Sequence, residues 1–274
     1  MKTPLSIAAC LLAAALPAQD LGHKTPPQRR AVVIENATLH PISAPDIAHG
    51  WVHFEGGVIR GLGEGDAPVL PGDVQRIDVD GAHVYPGMIS AVTTLGLVEI
   101  SSVAATVDSA ETGDFTPEAR SAVAINPDST VIPVTRSNGV LAAGVFPGGG
   151  LIPGRASVIC LEGWTWEEMA VTADAGLVIN WPAQRRPRPR RPSRPGAEPP
   201  PTDGPAERRA SIDRMIADAR SYIDARAADP TIPTDIRFEA MKPAVTGEAQ
   251  VFVRAEELTH SAHGIDCAQG HFST

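Results

Sequence analysis

The sequence is short of cysteine, of aromatic residues and of positive charge. Its three cysteines, Cys10, Cys160 and Cys267, give neither a disulfide framework nor a CxxC metal motif. Aromatic side chains make up 4% of the 274 residues, which argues against a base-stacking surface for nucleic acid. The 32 acidic residues outnumber the 23 basic ones, and the resulting net charge of −9 also argues against a nucleic-acid partner.

Long apolar runs are confined to the first residues. Leu5–Leu16 is almost entirely apolar, follows Lys2, and is followed by small residues around Ala18. This pattern is typical of a secretory signal peptide, and the run is too short to span a bilayer. We therefore expect residues 1–18 to be a signal peptide and the protein to be exported, either periplasmic or secreted, without a transmembrane span. Lipidation at Cys10 is the alternative interpretation.

Residues 19–85 are predicted to form a small β module. Apolar residues alternate in Gly50–Phe54 and in Val58–Gly63, and the Gly56-Gly57 pair between them favours a β-hairpin turn. Further strands are predicted farther along the chain, and several are apolar on both faces, as buried parallel strands are. These strands are Val131–Val134, Gly139–Phe146, Ala156–Ile159 and Gln250–Val253.

Two segments near the middle of the chain contrast sharply. Residues 182–205 interleave prolines with six arginines, which predicts an extended, solvated linker. A clamp for anionic glycans or lipid headgroups is the alternative. Residues 206–228 carry apolar side chains at spacings of three and four, which predicts an amphipathic core helix ended by Pro230 and capped, in a shorter form, by Ser211.

Several motifs resemble the opening of amidohydrolases, most closely the imidazolonepropionase-like, exported branch. They occur in the order and at the spacing that this superfamily shows. The motifs are Glu35–Pro41, Val52–Ile59, Ile77–Gly81 and Val84–Ile89. Weaker similarities follow at Asn138–Val140, Pro147–Gly154 and Val251–Ala255.

The resemblance implies an α/β fold in which a small N-terminal β-sandwich module precedes a TIM-like (β/α) barrel. Residues 86–180 would form the first part of the barrel, and residues 206–260 a further helix, strand and helix. The implied activity is hydrolysis of non-peptide carbon–nitrogen bonds in a small amide or peptide-like substrate. The implied cofactor is zinc or another divalent metal, held by two histidines at the end of the first barrel strand.

The positions that hold the metal in the family carry other residues here. Val92 and Thr94 occupy the two histidine positions, Ser90 the aspartate position, and Arg254 a later histidine position. Valine has no lone pair to donate, and a permanent cation repels a metal. We therefore expect no metal in this chain and an inactive amidohydrolase-like protein; whether it is an enzyme stays open, and the alternative is a non-catalytic exported binding protein or pseudoenzyme.

The chain also leaves little room for a complete barrel, which needs about 250 residues. Residues 261–274 show no helical periodicity and are interpreted as an aberrant tail of a truncated barrel. An incomplete barrel has open sheet edges, and open edges pair with other chains. The sequence therefore predicts self-association.

Three small groups of residues are candidates for a site. Carboxylates at the mouth of a substrate site are one hypothesis, with a solvated acidic loop as the alternative: Asp108, Glu111 and Asp114. A zinc site in the tail is a weak hypothesis: His260, His263, Cys267 and His271. Trp164 and Trp166 are predicted to pack against the barrel wall or, on a strand, to form a ligand-binding ledge.

Overall fold

Two five-stranded sheets organise the chain, and a computed structural model describes Lys24 and residues 28–182 and 204–255. The predictions for residues 1–18, for most of the linker and for the tail lie outside the described residues. The fold is α/β, with a small β-sandwich module followed by part of a (β/α) barrel.

The first sheet holds β1 to β5 in the order β3-β2-β1-β4, with β5 beside β1. The strands are β1 Ala31–Leu39, β2 Ile47–Glu55, β3 Val58–Glu64, β4 Val74–Asp78 and β5 His83–Val84. Gly56 and Gly57, at φ 59° and 75°, form the two-residue turn between antiparallel β2 and β3. Both residues need the left-handed region in such a turn, so the predicted hairpin is confirmed.

The second sheet is a curled half-barrel in which neighbours follow chain order, β6 to β10. Its strands are β6 Met88–Thr93, β7 Val140–Val145, β8 Gly154–Cys160, β9 Ala170–Asn180 and β10 Val251–Arg254. The strand predicted at Ala156–Ile159 is confirmed within β8, but β8 runs antiparallel to both β7 and β9, unlike the buried parallel strands that the apolar pattern favoured. The physical reason is connection length, because a parallel crossover needs about a dozen or more residues and β7 and β8 are joined by a short loop.

Within the described residues, four helices flank the second sheet: α1 Val131–Ser137, α2 Trp166–Met169, α3 Pro205–Ala228 and α4 Ile236–Val245. The strand predicted at Val131–Val134 is wrong, because these residues begin α1. Pro133 lies in the first turn of α1, where no intrahelical partner for its missing N–H is needed. The same proline in a central strand would remove a ladder hydrogen bond.

Helix α3 confirms the predicted amphipathic helix to within one residue at its start. Its buried face packs on β9 and α4, and the residues in this contact are Ile212, Met215, Ile216, Ala219, Leu177, Ile179 and Met241. Ser211 does not cap the helix: Gly204 stands at the N-cap with Pro205 after it, and the Ser211 hydroxyl donates to the carbonyl of Arg208. None of the helices in the described ranges combines the length and apolarity needed to cross a membrane.

Helix α4 was not predicted, and it begins with a side-chain cap. The Asp235 carboxylate accepts hydrogen bonds from the Arg237 amide at 2.9 Å and from the Arg237 guanidinium at 3.0 Å. The guanidinium hydrogen bond, and to a lesser degree the amide one, lowers the pKa of Asp235. The cap therefore favours the charged carboxylate.

We predict that Asp235→Ala lowers the free energy of unfolding by about 1 kcal/mol at neutral pH, the usual value of such a cap. A pKa lowered by folding adds stability that is complete above the ordinary carboxyl value of about 3.9 and is lost as pH falls through the lower folded-state value. The difference between wild type and variant in urea melts should therefore shrink on acidification. Asp218→Ala, an exposed change on α3, is the control; an equal loss there, or a pH-independent difference, would contradict the assignment.

Candidate functional site

Four parallel strands end at one edge of the second sheet. β6, β7, β9 and β10 end at Thr93, Val145, Asn180 and Arg254, and antiparallel β8 begins at the same edge with Gly154. In (β/α) barrels this edge carries the chemistry, because the loops that follow the strands converge there. It is the candidate site of this protein.

Thr93, at the end of β6, forms hydrogen bonds with the neighbouring backbone. The Thr93 hydroxyl donates to the carbonyl of Gly144 at 3.1 Å and accepts from the Leu95 amide at 3.2 Å. Val92 and Thr94 on either side are exposed. A valine and a threonine thus stand where the resemblance places two imidazole ligands.

At the end of β10, Arg254 binds a neighbouring loop. Its guanidinium donates to the carbonyl of Pro147 at 3.2 Å, just beyond the end of β7. This fixed cation, together with Val92 and Thr94, makes a donor set that does not fit a divalent metal. Within residues 28–182 and 204–255, no group of three or more His, Cys, Asp or Glu side chains is placed to hold a metal ion. The proposed zinc ligands His260, His263, Cys267 and His271 lie outside the described residues.

The long loop after β6 returns over this edge and is held by backbone pairing. The Thr116 amide donates to the carbonyl of Ile152 at 2.8 Å, and the Arg155 amide donates to the carbonyl of Ala119 at 2.8 Å. Two short 3-10 turns, Ala104–Thr106 and Ser121–Ala124, shape the rest of the loop. The buried Ser121 hydroxyl lies 2.8 Å from the Ser157 hydroxyl and 2.9 Å from the carbonyl of Val145, which ties the loop to the sheet.

A cavity of about 330 Å³ lies between this loop and two prolines of the β7–β8 connection, Pro147 and Pro153. Among its polar lining residues are Asp108, Glu111, Glu118, Arg120 and Ser121. Two of the three predicted mouth carboxylates are therefore brought together. The third, Asp114, does not line the cavity and lies 3.8 Å from the Arg208 guanidinium of α3.

Glu118 is a further acidic residue of this cavity, and the sequence did not predict it. Its Oε2 atom is buried, with no hydrogen-bond partner among the described residues. The pKa of Arg237 on α4 is raised mainly by its hydrogen bond to Asp235 and in smaller part by the negative charge of Glu118. No local pattern marks this glutamate, because its burial depends on the loop folding back over the sheet.

The glycine-rich loop 147–153 forms another wall and is anchored by Asn180, a second missed residue. The Asn180 side-chain amide donates to the carbonyls of Gly149 at 3.0 Å and Gly150 at 2.9 Å. A Cβ on Gly150 would lie 2.5 Å from the carbonyl oxygen of Gly113, so only glycine allows this approach. A polar residue that ends a long apolar strand was the available signal for Asn180.

The two tryptophans lie away from this edge and do not form a ledge. Thr165 between them caps α2 by accepting from the Glu168 amide, so the strand alternation assumed for a ledge is wrong. Trp166 packs on the core cluster that contains Leu161, so the predicted packing is confirmed for Trp166 and wrong for Trp164. Trp164 is 66% exposed, and the Lys24 ammonium lies 5.0 Å from its ring centroid.

Comparison with known proteins finds the fold in solved structures. No protein-family profile matches the sequence, and no curated protein matches it. An amidohydrolase from Thermotoga maritima MSB8 superposes with a TM-score of 0.73 at 20% identity, covering 88% of this chain and 62% of that chain. A prolidase in complex with N-methylphosphonate-L-proline is 22% identical over 41% of this chain and 25% of its own, and its TM-score of 0.28 carries no argument. The first similarity shows an amidohydrolase-like fold, and this chain spans less than two thirds of that protein.

We predict that Asn180→Ala loosens the glycine-rich loop. Loss of one exposed and one partly buried hydrogen bond should cost about 1–2 kcal/mol and speed amide exchange at Leu151, whose N–H donates to the carbonyl of Asp114. Asn138→Ala removes a single exposed bond to the carbonyl of Val134 and is the control. Unchanged exchange at Leu151 in the Asn180 variant would show that the loop does not depend on this side chain.

Proposed function

We propose that this protein is an exported, amidohydrolase-like binding protein that holds a small amide or peptide-like molecule without hydrolysing it. The observation that carries the proposal is the identity of the residues at the ends of β6 and β10. Val92, Thr94 and Arg254 stand where metal ligands are expected, and Arg254 is engaged with the carbonyl of Pro147. A hydrolase of this fold needs a metal to acidify water and polarise the carbonyl, and these three residues do not supply the ligands.

The cavity at the strand ends supports binding of an amide. Asp108, Glu111 and Arg120 line it. Carboxylates of this kind would accept hydrogen bonds from the N–H groups of an amide, and a guanidinium would donate to its carbonyl. Asn180 fixes the glycine-rich wall, so part of the cavity is preformed. A preformed cavity lowers the entropy lost on binding.

Hydrolysis of a non-peptide carbon–nitrogen bond is the second candidate. It is favoured by the similarity of the fold to the Thermotoga maritima amidohydrolase. It requires metal ligands from outside the described residues of this chain.

Metal content separates these two functions. We predict that the purified chain, incubated with zinc and then dialysed, retains far less than one equivalent by elemental analysis. It should also leave N-acetyl-L-alaninamide unhydrolysed with or without zinc. One tightly held equivalent, or zinc-dependent release of ammonia, would replace the binding proposal with the hydrolase.

Binding itself is tested on the cavity carboxylates. We predict that Asp108→Asn and Glu111→Gln each weaken binding of N-acetyl-L-alaninamide roughly tenfold, because a hydrogen bond to a charged group contributes about 1.5–3 kcal/mol. Ligand-observed NMR measures the affinity. Asp66→Asn, an exposed change in the first module, is the control. No saturable binding, or an equal loss in the control, would contradict this site.

We also propose that the protein associates with itself through β6. This strand is at the edge of its sheet in the described part of the chain, and Ile89, 73% exposed, is accompanied by exposed Met88 and Val92. Residues 88–94 include no charged side chain and no proline, the residues that usually protect an edge.

Light scattering after size-exclusion chromatography should therefore show dimers or larger species. Val92→Lys should shift them to monomer, since a charge on an edge strand opposes pairing. Val171→Lys should leave the association unchanged, because Val171 is about as exposed as Val92 but lies at the start of the inner strand β9. A monomeric wild type, or an equal effect of both variants, would exclude β6 as the interface.

A further inference from the structure

A second cavity lies at the opposite end of the half-barrel. It has a volume of about 440 Å³ and is enclosed by α1, by the segment after β8 and by Lys24. α1 precedes β7, and Leu161 follows β8, with its amide bonded to the carbonyl of Leu141 near the start of β7. The cavity therefore lies at the amino ends of the parallel strands, away from the candidate site.

The floor of this cavity is apolar and belongs to the core. Ile132, Leu161 and Met169 line it and are 4%, 1% and 1% exposed. Pro127, Pro133 and Val134 add further apolar wall. The volume falls within the range of about 300–1,000 Å³ in which proteins bind drug-sized molecules.

The charged residues at the cavity are paired with one another. Lys24 binds the Asp128 carboxylate at 3.0 Å and also lies over the ring of Trp164. The Arg136 guanidinium forms an ion pair with Glu162 and donates to the carbonyl of Leu161 at 3.2 Å. Each cation thus has its own counter-ion, and a charged ligand would have to break a pair or enter without a partner, which is costly.

We propose that this cavity is a binding site for an uncharged, mostly apolar small molecule. The paired charges at the mouth select against ions, and the buried floor contributes the hydrophobic gain. The volume limits the ligand to about the size of a two- or three-ring compound. The site is independent of the amide-binding function proposed above.

A charge series with one aromatic body tests the ligand class. The probes are 2-naphthylmethanol, 2-naphthoate and 2-naphthylmethylammonium, titrated into the full chain by calorimetry. We expect the neutral alcohol to bind at one site and each ion at least tenfold more weakly, since an unpaired charge at the mouth costs over 1.4 kcal/mol. Equal affinity for either ion, or no saturable binding of the alcohol, would overturn the proposal.

A pair of variants on α1 locates the site. Val134 lines the cavity and is 46% exposed, whereas Val131 is 39% exposed and is not part of the lining. Val134→Trp should fill the cavity and abolish binding of the alcohol, while Val131→Trp should keep it within twofold. Equal loss in both variants would place the ligand elsewhere.

Methionine methyl NMR reports on binding to the unaltered cavity of the wild type. The alcohol should shift the 13C-methyl signal of Met169, which lines the cavity, and leave that of Met241, which packs against α3. The Met169→Leu spectrum assigns the signal. Shifts confined to Met241 would contradict the proposal. Binding seen in Lys24→Ala but not in the wild type would also contradict it, because the Lys24 side chain would then occupy the cavity.

Discussion

The burial of β9 on both faces is the constraint on which the rest of the structure depends. Leu177 and Ile179 pack into the cluster with α3 and α4, whereas Val178 between them packs with Phe146 and Ala156 on the other face. All three β9 residues are at most 1% exposed. β8 and β10 form hydrogen bonds with the backbone N–H and C=O groups on the two edges of β9. This one strand therefore determines the positions of helices α3 and α4 and of the neighbouring strands β8 and β10.

The direction of β8 follows from that arrangement and shapes the site. Because β8 returns antiparallel between β7 and β9, the glycine-rich loop crosses the end of the sheet at which β6, β7, β9 and β10 all finish. Asn180 and Arg254, opposite each other in the β9–β10 register, both bind this loop. The polar side chains at these strand ends therefore anchor the glycine-rich loop, whereas in a metal enzyme of this architecture side chains at the strand ends bind the metal ion.

The two ends of the half-barrel offer different environments. At the carboxyl ends of the strands, the cavity is lined by carboxylates and a guanidinium. At the amino ends, the cavity has an apolar floor with its charges paired at the mouth. The first environment underlies the proposed amide site and the second the proposed site for an uncharged, apolar molecule, because desolvation penalises an unpaired charge far more than a hydrogen-bonded amide.

The sequence by itself determined the elements that depend on local chemistry. The turn at Gly56 and Gly57 needs two residues at positive φ, and α3 needs an apolar stripe at helical spacing; both are encoded within a few residues. The expectation that Val92, Thr94 and Arg254 occupy metal-ligand positions comes from the order of the motifs and stays a prediction. Only the tertiary structure decided that Val131–Val134 begins a helix and that β8 runs antiparallel. It also decided that Asp108, Glu111 and Glu118 line one cavity while Asp114 lies outside it. These features depend on partners far along the chain, and the free energy of packing against such partners outweighs the small local preferences that a sequence window contains.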